Sequence, residues 1–212
     1  MGKRKRSRLP GRELYEWVQA LVCSVLAVVV LFTFAVRATG VSGSSMRETL
    51  RNGDLLLVLN GWLCGDYASG DIVILRKQDF HEGNPIVKRV VAVAGQTVDI
   101  DFGDGTVYVD GVELEEPYIR EPTFTDEGTV FPLTVPEGSV FVMGDNRNES
   151  DDSRNPALGP VDTRSVIGRA FLLALPGAAE ETKERDWSRV GMLNREDRAQ
   201  WRRIRNSWRP GR

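Results

Sequence analysis

Twenty consecutive residues, Trp17 to Val36, carry no charge and are mostly Val, Leu, Ala and Phe. In a helix rising about 1.5 Å per residue they span roughly 30 Å, the thickness of a bilayer core. Lys3, Arg4, Lys5, Arg6, Arg8 and Arg12 precede the run with no acid among them, and Arg37 follows alone. That bias predicts a cytoplasmic N-terminus and an extracytoplasmic location for everything after Val36. Tyr15, Trp17 and Phe34 lie near the two ends, where aromatic rings favour the interface. A cleaved secretory signal is the competing reading, because Val36-Arg37-Ala38 loosely resembles a small-x-small cleavage site; the run is longer than the usual ~7–15 apolar residues of such a signal. A buried soluble helix would need protein on all sides. The sequence therefore predicts a basic cytoplasmic segment over 1–16, a single-pass anchor over 17–36 in the cell membrane, and a folded part beyond it.

The formal net charge of -2 hides an asymmetry. Both ends are rich in Arg and Lys while the middle is acidic, so the ends point to anionic surfaces, lipid headgroups or nucleic acid. The anchor selects the lipid bilayer, and no nucleic-acid partner is expected. Cys23 lies inside the apolar run and Cys64 well beyond it, so no disulfide framework is indicated. No spacing suggests a metal site, and no cofactor is implied.

Beyond Thr39 short β-runs alternate with turn signals. Leu55–Leu59 is continuously apolar, Asp71–Leu75 follows a glycine, Ile86–Val93 is rich in β-branched residues, and Thr97–Asp101 alternates with period two. Val107–Val109 and Val112–Leu114 flank Asp110-Gly111, a tight-hairpin signal. Ser139–Met143 and Val166–Leu175 complete the series. This spacing predicts an all-β fold of antiparallel sheets, folded or barrel-like, over residues 37–177, with the one N-terminal transmembrane helix ahead of it. The tail, 178–212, is rich in Arg and Trp. Trp201, Ile204 and Trp208 fall at i, i+3 and i+7, a spacing compatible with a short basic helix at an anionic membrane surface, but a charge-rich terminus of this kind is expected first as a solvated, partly disordered tail.

Few residues offer chemistry. His81 is the only histidine and sits in a polar loop, so any Ser–His–Asp triad would have to use it. Ser45 lies in Val41-Ser42-Gly43-Ser44-Ser45-Met46, where small residues allow a sharp bend with free N–H groups, as an oxyanion hole requires. Lys88 interrupts the apolar run Ile86–Val91 beside Arg89. Period two sends the two to opposite faces, so one of them faces inward or lines a groove. A buried lysine loses its charge readily and becomes a candidate base for a serine; an edge strand with both heads in water is the plainer alternative. Gly144–Arg154 is dense in turn formers and polar groups. Its arginines and irregular ligand spacing count against a calcium loop.

In this order the residues resemble the bacterial type I signal peptidases, and Gram-positive members in particular. Ser45-Met46-Arg47-Glu48-Thr49-Leu50 is similar to the family's S-M-x-P-T-L box. Gly70-Asp71-Ile72-Val73 is similar to its G-D-[IV]-V strand, and Val87-Lys88-Arg89-Val90 to the strand of its general-base lysine. Gly144-Asp145-Asn146-Arg147 with Ser150, Asp152, Ser153 and Arg154 is similar to G-D-N-R-x-x-S-x-D-S-R, and Gly159-Pro160-Val161 and Val166-Ile167-Gly168-Arg169 follow. The resemblance implies a membrane-bound serine endopeptidase that removes signal peptides from exported preproteins after small-x-small sites. It implies Ser45 as nucleophile, Lys88 as base, Ser150 as the group orienting the lysine, and Asp145, Asp152 and Arg154 as supports. Val41 and Val87 would line the substrate pockets, and the Ser45 N–H would stabilise the oxyanion.

Glu48 stands where the family has proline, and Ala94 and Gln96 replace the Pro and Asp of its P-G-D turn. Gly43 occupies a position where some relatives place a serine hydroxyl donor. Two other classes compete: a Ser–Lys protease with a different target, such as a self-cleaving repressor, and an idle β-domain that only binds exported proteins. The anchor and the lack of a DNA-binding helix pair oppose the repressor. The joint presence of Ser45, Lys88 and Ser150 opposes the idle domain.

Overall fold

The structure, a computed structural model, describes residues 10–179 and 182–193. The apolar run becomes helix α1 (Pro10–Val30), closed by a π-helical turn over Leu31–Ala35. The uncharged stretch lies within these elements until Val36, where strand β1 (Val36–Gly40) begins. Glu13–Ala35 is long and apolar enough to cross a membrane. Val18, Leu21, Val25 and Val28 on it are exposed, as residues meant for lipid would be. The chain divides into two compact units, residues 1–37 and 38–212.

The second unit is antiparallel β structure. Its strands are β2 (Leu55–Asn60), β3 (Ile72–Leu75), β4 (Ile86–Val93), β5 (Thr97–Asp101), β6 (Thr106–Val109), β7 (Val112–Glu113), β8 (Leu133–Thr134), β9 (Ser139–Met143), β10 (Val161–Asp162), β11 (Val166–Leu175) and β12 (Gly191–Met192). A one-turn helix α2 (Gly61–Cys64) follows β2. Among the described residues the larger sheet runs β1-β2-β11-β3-β4-β9-β10, with β12 added to β11; the smaller runs β7-β6-β5-β8. The long β11 pairs with β2 along one edge. Along the other it pairs with β3 and then, past Ala170, with β12.

Burial explains the sequence patterns. Ile72 and Ile74 pack in one apolar cluster with Val41, Met46, Leu50, Leu56 and Val58. Val73 and Leu75, between them in sequence, pack in another with Val90, Val140 and Val142. The strand β3 is thus buried on both faces, which is why it reads as a continuous apolar run rather than an alternation. A third cluster, Val91, Phe141 and Met143 against Val98, Ile100, Val107 and Val109, joins the two sheets. Asp110 (φ 54°) and Gly111 (φ 75°) both adopt positive φ, the tight hairpin the Asp-Gly pair predicts. The substituted turn after β4 is stitched by Gln96. Its Oε1 accepts from Val93 N–H at 3.0 Å, and its Nε2 donates to Asp110 Oδ2 at 3.0 Å. The tail positions Trp201, Ile204 and Trp208 lie outside the described residues.

Candidate active site

Ser45 sits on a closed loop between β1 and β2. The loop's neck is pinched by Val41 N–H donating to Asp54 O at 2.8 Å and Gly53 N–H donating to Val41 O at 2.9 Å. Gly43 (φ 99°) makes the bend two residues before the serine, a conformation open mainly to glycine. Its N–H donates to Asn52 Oδ1 at 3.3 Å across the loop. Met46 and Leu50 drop into the core and fasten the loop to the sheet. Glu48 holds φ 87°, which a proline ring, fixed near -65°, does not reach. A proline at position 48 would not fit the loop in this conformation.

Lys88 and Arg89 are both buried, at 3% and 2% exposure, where period two required only that one of them face inward or line a groove. Each finds a partner from the Gly144–Arg154 segment. Lys88 Nζ donates to Ser150 Oγ at 3.0 Å. Ser150 Oγ donates in turn to Asp152 Oδ2 at 2.9 Å. Asp152 also accepts from Gly144 N–H at 2.9 Å and from Arg154 Nε and Nη2, each at 2.9 Å. Arg89 grips Asp145 with two prongs, Nε to Oδ1 and Nη2 to Oδ2, both 2.8 Å. Asp145 Oδ2 accepts as well from Thr49 Oγ1 at 2.5 Å, so the Asp145–Arg89 pair reaches the Ser45 loop. Asn146 N–H donates to Ser45 O at 3.0 Å, and its Nδ2 donates to Ser44 O at 3.2 Å.

Gly144 is where these parts converge. A methyl group there would lie 2.5 Å from Ser45 O and 2.5 Å from Ser150 Cβ, and would overlap Ser150 Oγ. The nucleophile loop and the lysine's partner thus both crowd the place where a Gly144 side chain would stand, close enough to exclude one.

The electrostatics move Lys88 toward its neutral form. Burial lowers the Lys88 pKa, opposed by the charges of Asp152, Asp151 and Glu127 and aided by Arg154. Burial alone would raise Asp152, but its hydrogen bonds and charge pairing with Arg154, and then Lys88, bring it below the ordinary carboxylate range. Glu127 pairs with Arg154 at 2.9 Å. Burial first, and then the Asp152 charge, nevertheless push Glu127 up to about 7.

A groove of about 520 Å³ opens beside Ser45, walled by Val41, Val87, Ile74, Ile86 and Met46. Both valines singled out in the sequence line it. So does His81, whose Nε2 lies 3.1 Å from Asp151 Oδ2. Its polar loop forms a wall of the groove, a placement that spacing does not encode. Sequence reasoning gave no site role to Arg89, Thr49 or Glu127. Arg89 and Thr49 stand inside quoted boxes, and their role depends on the remote Asp145; no local signal marks Glu127.

Ser45 thus stands on a tight loop at the mouth of an apolar groove in an antiparallel β-domain, an arrangement that a serine peptidase can use. A family model described as signal peptidase, peptidase S26, matches residues 14–175. The chain is 37% identical over 181 residues to signal peptidase I of Bacillus licheniformis, covering 81% of this chain and 94% of that one. It is 35% identical over 173 residues to signal peptidase I T of Bacillus subtilis, covering 76% and 85%. A crystal structure of a signal peptidase I from Enterococcus faecalis aligns with a TM-score of 0.40 at 33% identity, covering 49% of this chain and 96% of that one. The chain belongs to the signal peptidase family, peptidase S26, and is a serine endopeptidase of that type.

Proposed function

We propose that this chain is a membrane-anchored signal peptidase I that removes N-terminal signal peptides from exported preproteins, with Ser45 and Lys88 as its catalytic pair. The observation that carries the reading is the burial of Lys88, at 3% exposure, with its ammonium nitrogen 3.0 Å from Ser150 Oγ. A lysine at its ordinary value of about 10.4 is protonated at neutral pH and cannot take a proton. One held lower by burial can.

Ser45 Oγ attacks the scissile carbonyl while Lys88 takes its proton, and the lysine later gives that proton to the leaving amine. Ser150 orients the lysine, and Asp152 and Arg154 hold Ser150 in place through charge-assisted hydrogen bonds. Asp145, fixed by Arg89, holds the Ser45 loop through Thr49. The Ser45 N–H stabilises the oxyanion. The groove lined by Val41 and Val87 takes the small side chains of a small-x-small sequence before the cut. Substrate and enzyme meet because the signal peptide's apolar segment and the enzyme's anchor share one bilayer.

The organisation that fits is a cytoplasmic segment 1–16, an anchor 17–36, an extracytoplasmic catalytic domain 37–177 and a C-terminal tail 178–212. The test is cleavage of a signal-peptide substrate by Ser45→Ala and Lys88→Ala variants whose fold is checked by circular dichroism. Each is expected to be inactive; near-normal cleavage by either refutes the pair.

A further inference from the structure

The family match ends at residue 175, yet the chain beyond it returns to the nucleophile loop. Gly177 lies against Asn52–Asp54 so closely that a methyl there would overlap Asn52 O and come within 2.9 Å of Gly53 C. The Gly177 N–H donates to Asp54 Oδ1 at 2.7 Å. Farther on, Asp186 caps a 3-10 turn, Trp187–Arg189, by accepting from Ser188 N–H. Next, β12 pairs with β11, and Leu193 N–H donates to Phe171 O at 2.9 Å. Leu193 packs on the cluster that holds Met46 and Leu50.

Between these fastenings Arg189 reaches the loop. Its Nη1 donates to Asp54 Oδ1 at 3.0 Å and its Nη2 to Asp54 Oδ2 at 2.7 Å, a two-pronged pair with a fully buried carboxylate. Its Nη2 also donates to Thr49 O at 3.3 Å. Asp54 closes the loop's neck, and its Oδ2 accepts from Arg51 N–H at 2.7 Å. Thr49 is also the residue whose hydroxyl meets Asp145. The Ser45 loop is therefore held by two separate sets of contacts, one from Asp145 and Asn146 and one from Arg189.

We infer that residues 182–193 form a clamp in which Arg189, acting through Asp54 and the Thr49 carbonyl, is a positioning residue for the Ser45 loop. The inference rests on Ser45 being the nucleophile. Arg189 touches neither the groove walls nor Lys88; it restrains the backbone that carries the Ser45 hydroxyl and N–H. Releasing it lets that backbone drift, and small misplacements of a reacting group cost rate steeply. The loss falls mainly on kcat, because the Ser45 hydroxyl and N–H must be placed more tightly for reaction than the apolar groove walls, among them Ile74, Ile86 and Val87 on β3 and β4, must be placed for binding.

The experiment uses the full chain in detergent with a signal-peptide substrate. Arg189→Met is expected to lower kcat by about 10- to 100-fold with KM little changed. Arg189→Lys keeps a cation without the two-pronged grip and falls between Met and wild type. Trp187→Ser, on an exposed side chain of the same segment, leaves kcat unchanged. In a cycle with Asp54→Asn, the double variant loses no more than the worse single one, since the two act as one unit. Should Arg189→Met not fold, Arg189→Lys with the Asp54→Asn cycle decides the matter. A folded Arg189→Met with wild-type kcat, or fully additive losses in the cycle, overturns the clamp. Cleavage by Ser45→Ala would instead overturn the nucleophile assignment, whatever Arg189 does.

Discussion

Replacing Asp152 by Asn tests the centre of the site, because stability and pH dependence should move in ways that no simple loss of fold reproduces. Asp152 is fully buried. One oxygen takes Gly144 N–H, Ser150 Oγ and Arg154 Nη2, and the other takes Arg154 N and Nε. An amide keeps the shape, but it removes the charge and puts a donor where an oxygen accepted. Breaking one member of a buried, hydrogen-bonded ion pair costs about 3–5 kcal/mol. The Glu127 carboxylate 2.9 Å from Arg154 remains and places the expected loss at the lower end, about 3 kcal/mol. Against a total of about 5–15 kcal/mol the variant still folds in the cold. Urea unfolding of the purified chain measures the loss, and less than about 1 kcal/mol would mean that the cluster is not the buried pair described.

The same substitution should shift the pH profile. Lys88 must be neutral to act as base, so activity fades as pH falls through its folded value. The Asp152 charge is the largest influence raising that value. Without it burial acts less opposed, the lysine releases its proton more easily, and the acid limb of kcat/KM moves to lower pH. The maximal rate falls as well, since Ser150 loses the acceptor that orients it. An acid limb that stays in place or moves upward refutes the assignment of that limb to Lys88.

Two further outcomes follow from the same geometry. Gly144→Ala drives a methyl into Ser150 and the Ser45 carbonyl; overpacking of this kind costs about 1–3 kcal/mol, and kcat should drop by about a hundredfold, read by steady-state cleavage beside a melting curve. Lys88→Met should abolish cleavage yet stabilise the fold at neutral pH. A lysine whose folded pKa is lowered binds fewer protons folded than unfolded, so wild-type stability rises with pH up to about 10.4 and the advantage of methionine shrinks over that range, as denaturant midpoints at several pH values would record.

Much of this fold is legible from interactions between near neighbours in the chain. Length and apolarity specified α1. The Asp110-Gly111 pair specified its hairpin, and the runs over Leu55, Ile72, Ile86, Ser139 and Val166 specified the long strands, because each depends on interactions a few residues apart. The same locality explains why Ser45 and Lys88 were visible as oddities: a serine among small residues, and a cation in an apolar strand. Tertiary structure decided what those oddities face. Period two required Lys88 and Arg89 to diverge but could not say that both would be buried, since that needed Ser150 and Asp145, which stand 62 and 56 residues away in the chain. The short strands β8, β10 and β12 exist only because longer strands offer them open edges. Arg189 lies 135 residues from Asp54, and no spacing rule links them. A buried charge must find its counter-charge wherever the fold brings one, so the identity of the charged residues is written in the sequence, and their pairing is written only in space.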